Sequence, residues 1–119
     1  MSIKIGNTPL MEIQTENCAL AKGVRIFAKI ETENAGGSIK DRVALAMIQD
    51  GERKGLLKKG GVIVEATSGN TGIGLAIVAK AMGYKAVIFL PETTAKSVSE
   101  RIENCGGEVI LTEDRKSHV

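Results

Sequence analysis

Between residues 62 and 112 short apolar runs alternate with helix-patterned ones in a fixed order, and no other feature of the sequence restricts the fold as much. Val62-Ile63-Val64-Glu65-Ala66 predicts a strand, 71–82 a helix, and 86–90 a second apolar strand stopped by Pro91. A helix over 95–105 follows, with Val98, Ile102 and Cys105 on one stripe, and then a strand over 108–112. Strands this uniformly apolar are expected where helices cover both faces of a sheet, and parallel connections of this kind are right-handed crossovers. The fold class is α/β, a three-layer, open, mostly parallel sheet built as a βαβαβ unit. In such sheets ligands bind beyond the carboxyl ends of the strands, which points to the loops after Ala66, Leu90 and Thr112.

Upstream the pattern is different. Residues 10–13 predict a short strand after the turn Gly6-Asn7-Thr8-Pro9, and 24–30 place Val24, Ile26, Ala28 and Ile30 on one face of a second; the two are expected to pair as an antiparallel ribbon. Ser38 followed three residues later by Asp41 has the form of a capping box, and Ala44, Met47, Ile48 and Gly51 then recur at helical spacing, predicting a helix over 39–54. At 119 residues the chain is one domain or a piece of one.

Composition excludes several classes of function. Sixteen Lys and Arg against fourteen Asp and Glu leave a net charge of +2 with the signs interspersed, so no footprint for nucleic acid or an anionic membrane is present. No apolar run is long enough for a membrane span, and residues 1–4 lack the apolar core of a signal peptide, so a reducing cytoplasm is the expected compartment. Cys18 and Cys105 lie far apart in no metal-like spacing and read as packing residues. The only histidine, His118, is next to the last residue, so no triad or zinc site built on an internal histidine is available and no metal is expected. Fourteen glycines with only three aromatic residues suit a loop-built site for a small ligand better than a protein-binding hot spot.

Two segments carry chemistry. The strand ending at Ala66 runs into Thr67-Ser68-Gly69-Asn70-Thr71-Gly72, where hydroxyls and an amide sit between glycines at the mouth of a helix, a cradle for a carboxylate or phosphate. The glycines at 69, 72 and 74 follow neither the dinucleotide fingerprint nor the phosphate-loop spacing, so nucleotide binding is not supported. In Asn34-Ala35-Gly36-Gly37-Ser38-Ile39-Lys40-Asp41-Arg42, a Gly-Gly pair delivers Lys40 to the first turn of a helix. A cation there opposes the helix macrodipole by roughly 0.3–1 kcal/mol, which marks Lys40 as a candidate nucleophilic amine able to form a Schiff base with an aldehyde cofactor, with Asp41 and Arg42 as cap and tether. Taken singly, each segment also has an ordinary reading, a capped strand-to-helix turn in one case and a solvated first-turn lysine in the other.

Taken together and in order, the motifs resemble the N-terminal portion of the cysteine synthases (O-acetylserine sulfhydrylases), members of the β-family, fold type II, of pyridoxal-phosphate enzymes. The resemblance runs from Ile5-Gly6-Asn7-Thr8-Pro9-Leu10 through Lys29-Ile30-Glu31, Gly37-Ser38-Ile39-Lys40-Asp41-Arg42 and Glu65-Ala66-Thr67-Ser68-Gly69-Asn70-Thr71-Gly72 to Pro91-Glu92. It implies that Lys40 forms the Schiff base with pyridoxal 5'-phosphate, that Asn70 meets the ring oxygen of that cofactor, and that Thr67, Ser68, Gly69 and Thr71 bind the α-carboxylate of the amino-acid substrate. The implied reaction is β-replacement on O-acetyl-L-serine: the freed Lys40 removes the α-proton, acetate leaves, and sulfide adds to give L-cysteine. Carboxylate binding at the loop would draw the smaller domain over the site and exclude water.

The same resemblance divides the chain into a ribbon, 1–35, belonging to a larger domain, and a small α/β domain, 36–119, and implies a homodimer for the complete protein. Ala35 stands where many relatives carry proline, and residues 113–119 match nothing in the family pattern. The family's phosphate-binding glycine loop and the serine facing the pyridine nitrogen lie in the C-terminal part, so the 119-residue chain is expected to be an incomplete, catalytically incompetent portion. Cystathionine β-synthase or another β-replacement activity is the alternative within the enzyme class. A non-catalytic truncated remnant or interaction module is the alternative outside it.

Overall fold

The structure, a computed structural model, describes residues 3–14 and 23–113; Cys18 and His118 lie outside them. The alternating segments form a parallel sheet in chain order. Strand β3 (Val62–Ala66) pairs with β4 (Lys85–Pro91) from Val62↔Lys85 to Ala66↔Phe89, and β4 pairs with β5 (Glu108–Thr112) from Val87↔Glu108 to Pro91↔Thr112. The crossovers are helices, α2 (Asn70–Met82) between β3 and β4 and α3 (Lys96–Asn104) between β4 and β5. Ahead of them, β1 (Leu10–Glu12) and β2 (Phe27–Lys29) form the antiparallel ribbon, and α1 (Lys40–Arg53) packs on α2. Each predicted element is present, with ends shifted by one residue in the α/β unit and by up to three in the ribbon. There the ladder continues past the strands through the Ile13 N–H to the Ile26 carbonyl and the Ile30 N–H to the Pro9 carbonyl, both 2.9 Å.

Burial follows the layering. Ala86, Ile88 and Leu90, alternating along the central strand, are buried against α2, in one core with Ile102 of α3. Helix α2 is buried nearly all round, at Ile73, Leu75, Ala76, Val78 and Ala79, because the sheet, α1 and α3 all pack on it. Helix α3 inserts Ile102, with Val98 and Cys105 beside it as its stripe predicts. The opposite face of the sheet is open among the described residues: Val62 and Val64 are 53% and 62% exposed and Phe89 and Val87 only half-buried. In α1 the buried stripe is Asp41, Ala44 and Ile48, whereas Met47 faces outward with Val43. Among the described residues no helix is long and apolar enough to cross a membrane.

A polar hub joins the ribbon to α1. The Glu31 carboxylate accepts two hydrogen bonds from the Arg42 guanidinium (2.8 and 2.9 Å), one from the Thr8 hydroxyl (2.6 Å) and one from the Asn34 amide (2.7 Å). Asn34 passes the connection on in both directions, its Nδ2 donating to the Ser38 carbonyl (3.0 Å) and its Oδ1 accepting from the Gly6 N–H (2.8 Å). The Arg42 guanidinium, then the Thr8 hydroxyl, hold the Glu31 carboxyl down to about 2 from its ordinary 4.5. The motifs Gly6-Asn7-Thr8-Pro9, Lys29-Ile30-Glu31 and Asp41-Arg42 therefore meet in space, and Arg42 is the tether its position suggests.

Candidate active site

A cleft of about 460 Å³ opens at the carboxyl ends of all three parallel strands, lined by Ala66, Thr67, Ser68, Phe89, Pro91, Thr112 and Glu113. It therefore touches each of the loops to which strand polarity points. Thr67 and Ser68 lie in the lining; Lys40, Asn70 and Thr71 lie outside it. The loop after β3 is anchored at its root by the Thr67 N–H donating to the Phe89 carbonyl (3.0 Å) and turned by the Gly69 N–H donating to Thr67 Oγ1 (3.3 Å). Beyond that turn the N–H groups of Asn70 and Thr71, the first of α2, have no backbone acceptor among the described residues. They are the free donors that every helix start leaves, and they carry the positive end of the helix dipole. The Ser68 and Thr71 hydroxyls and the Asn70 amide have no hydrogen-bond partner among the described residues either, which leaves a donor-rich loop facing outward.

Lys40 opens α1 and is exposed. Its own N–H donates to Ser38 Oγ (3.1 Å), and among the described residues its amine has no hydrogen bond or ion pair. The expected capping box takes a different form. Asp41 does not cap the turn from its surface; its side chain is fully buried and its Oδ2 accepts the Gly36 N–H at 2.6 Å. The chain enters α1 through a tight turn from Ser38, which folds Gly36 back over the helix start.

The two candidate segments are brought together by a glycine. A Cβ on Gly74 would lie 3.1 Å from the Lys40 carbonyl oxygen and 3.2 Å from Asp41 Oδ1, so the missing side chain is what lets α2 lie against the head of α1. Gly72 has an analogous role on the other side, where a Cβ would be 2.8 Å from Ile88 Cγ2 and 2.9 Å from Thr67 Cγ2. The glycine excess of this stretch is thus spent on close helix packing as well as on a loop.

A positive helix start with unpartnered donors suits a carboxylate, and an unpartnered amine at the head of the adjoining helix suits an aldehyde; the residues present fit a carbonyl cofactor acting on a small acid. The class that this fold and donor set describe is an open α/β protein with an unpartnered amine at the head of one helix and a donor-rich loop at the start of the helix packed against it. The chain belongs to the pyridoxal-phosphate dependent enzyme family, whose sequence profile matches residues 1–118. It is 49% identical over 112 residues to a cysteine synthase of Flavobacterium sp., covering 94% of this chain and 36% of that one. Among solved structures it is similar to O-ureido-L-serine synthase (TM-score 0.84, 42% identity) and to an O-acetylserine dependent cystathionine beta-synthase from Helicobacter pylori (TM-score 0.85, 34% identity). Each match covers 92% of this chain, and 34% and 36% of those chains respectively. The chain spans about a third of the length of these relatives.

Proposed function

We propose that this chain contributes the lysine and the substrate-carboxylate loop of a β-replacement enzyme that makes L-cysteine from O-acetyl-L-serine and sulfide. The observation that carries the reading is the Gly74 contact, which sets the head of α1, with Lys40, against the first turns of α2, with the Thr67 to Thr71 loop. Lys40 would hold the aldehyde carbon of pyridoxal 5'-phosphate and Asn70 its ring oxygen. Thr67, Ser68 and Thr71, with the free N–H groups at the start of α2, would hold the substrate carboxylate, the helix dipole favouring the negative charge there. Once bound, the cofactor supplies a sink for the electron pair at the substrate α-carbon. Lys40 Nζ, freed when the substrate amine takes its place, would take the α-proton and, after sulfide has added at the β-carbon in place of acetate, return it to Cα. The carboxylate clamp keeps that carbon within reach of the lysine through both transfers. In this reading residues 1–35 belong to a larger domain and 36–119 to the small domain that closes over the site, and the complete protein is a cytoplasmic homodimer.

The test is an absorption spectrum of the 119-residue chain with added pyridoxal 5'-phosphate, before and after dialysis. A visible Schiff-base band that is absent in Lys40→Ala and declines on dialysis is expected. An unchanged band in Lys40→Ala overturns the assignment of Lys40. A second reading, cystathionine synthesis, is favoured by the Helicobacter pylori neighbour, whose fold over this region matches as closely. Turnover of O-acetylserine with sulfide against O-acetylserine with homocysteine, in the protein completed with the remainder of its family pattern, separates the two.

A further inference from the structure

Gly36 lies four residues before Lys40, and both of its backbone polar groups are taken by side chains. Its N–H donates to Asp41 Oδ2 (2.6 Å), and its carbonyl accepts from Arg101 Nη2 (2.9 Å), a residue of α3 that is 65 positions further along the chain. The grip leaves no slack. A Cβ on Gly36 would lie 2.4 Å from Asp41 Oδ1 and 2.9 Å from Asp41 Cγ, so the carboxylate occupies the space that any other residue would fill. Asp41 is fully buried, and its Oδ1 has no hydrogen-bond partner among the described residues. An unpartnered buried carboxylate oxygen costs stability and is retained where the arrangement it enforces is needed. Burial raises the Asp41 carboxyl above its ordinary value, against the pull of the Gly36 and Ser38 amides and the Arg101 charge.

Helix α3 reaches the other candidate loop as well. Ile102, next to Arg101, comes within 3.1 Å of where a Gly72 Cβ would be, at the head of α2. Neighbouring residues of α3 thus hold the approach to Lys40 on one side and the root of the carboxylate loop on the other.

We propose that Asp41 and Arg101 are positioning residues for Lys40: they grip the two polar groups of Gly36 and thereby fix the backbone from which the lysine projects. The inference rests on the reading of Lys40 as the aldehyde-binding amine. Neither side chain touches cofactor or substrate in this role. It predicts that Lys40 out-competes the other lysines for an aldehyde only while the grip is intact, because a functional group must be held within about 0.5 Å of its productive position.

The test uses the full 119-residue chain, pyridoxal 5'-phosphate as the aldehyde, borohydride to reduce the adduct, and peptide mapping to give the share of label on each lysine. In Arg101→Ala the Lys40 share is expected to fall by between about twofold and tenfold, the range that loss of one hydrogen bond supports. Arg101→Lys should recover most of that share, since an ammonium can still donate to the Gly36 carbonyl, a rescue that a loss of general stability would not produce. Asp41→Ala should lower the share at least as far; because Arg101 is an exposed residue, its variants decide the matter if Asp41→Ala does not fold. A folded Arg101→Ala chain that labels Lys40 as selectively as the wild type overturns the inference and leaves the reading of Lys40 standing. Label spread evenly over the wild-type lysines removes that reading and the inference with it.

Discussion

The α/β unit and the N-terminal ribbon are built on opposite principles. In the unit, Ile73, Leu75, Val78, Ile88, Leu90 and Ile102 are almost wholly removed from water, and hydrophobic transfer of such side chains, roughly 1.5–3 kcal/mol each, supplies the stability. In the ribbon Leu10, Met11, Val24 and Phe27 remain exposed; Ile3 and Ile5 ahead of it pack on the edge of the core, and its polar link to α1 is the Glu31 carboxylate, held by two hydrogen bonds from Arg42 across the junction and by Thr8 and Asn34 on its own side. An apolar core is indifferent to proton concentration; a carboxylate hub is not. One chain therefore holds a part kept together by packing and a part whose attachment depends on ionisation as well, and the two should come apart under different conditions.

The largest effect is expected at the centre of the packed part. Ile88→Ala removes a fully buried side chain from the central strand, between the two crossover helices, and should cost about 2–5 kcal/mol by large-to-small core precedent. That is a large fraction of the roughly 5–15 kcal/mol that stabilises an ordinary domain. Urea unfolding followed by far-UV circular dichroism measures it. A cost below about 1 kcal/mol would mean that the sheet is not the core and that packing on it does not hold the unit together.

Most of the packed part is legible from sequence because it depends on local period. Strands 62–66 and 108–112 fall where the apolar runs put them, and the stripe Val98, Ile102, Cys105 is the face that packs. Met47 fails the same test: its spacing fits the buried stripe of α1, yet it lies one position off the line from Ala44 to Ile48 that meets α2, and it is 48% exposed. In the candidate site, Lys40 and the Thr67 to Thr71 loop can be singled out by residue type, but that they adjoin depends on Gly74, whose lack of a side chain matters only once two helices cross. Arg101 gives no signal at all, since its partner is a backbone carbonyl 65 residues away. Glu31 and Arg42 carry opposite charges, but only the fold sets them 2.8 Å apart. Long-range polar contacts have no period, and periodicity is the signal that sequence patterns transmit.

Acid separates the two attachments. The Glu31 carboxyl is held at about 2 against an ordinary 4.5, so its contribution is complete above pH 4.5 and is lost as pH falls from 4.5 toward 2. Asp41 runs the other way. Its carboxyl is raised above the ordinary 3.8 by burial, so the strain of its buried charge is present at neutral pH and is relieved as pH falls through the raised value toward 3.8. On acidification the ribbon should loosen while the head of α1 does not. Amide exchange resolves this, with Gly6, bonded to Asn34, and Ala35, bonded to the Lys4 carbonyl, losing protection before the amides of β4. Glu31→Gln should show the same loosening already at pH 7. Simultaneous loss of protection in both regions would show that the hub is not the separate attachment proposed.

The smallest effect is expected within the ribbon itself. Arg25 makes two hydrogen bonds to Glu12 (2.7 and 2.8 Å) and its guanidinium lies 4.8 Å from the centre of the Phe27 ring, which on contact geometry alone ranks with the Glu31 hub. Solvent reverses that ranking. The Arg25 side chain is 65% exposed against 14% for Glu31, and an ion pair in high dielectric gives back in desolvation and side-chain entropy most of what it gains. Arg25→Ala should therefore leave both the thermal midpoint and the exchange of Gly6 and Ala35 at their wild-type values, at low salt and at high. If it instead releases the ribbon as Glu31→Gln does, the attachment is spread along the strands, and burial rather than bond geometry ceases to be the measure of which polar contacts hold this chain together.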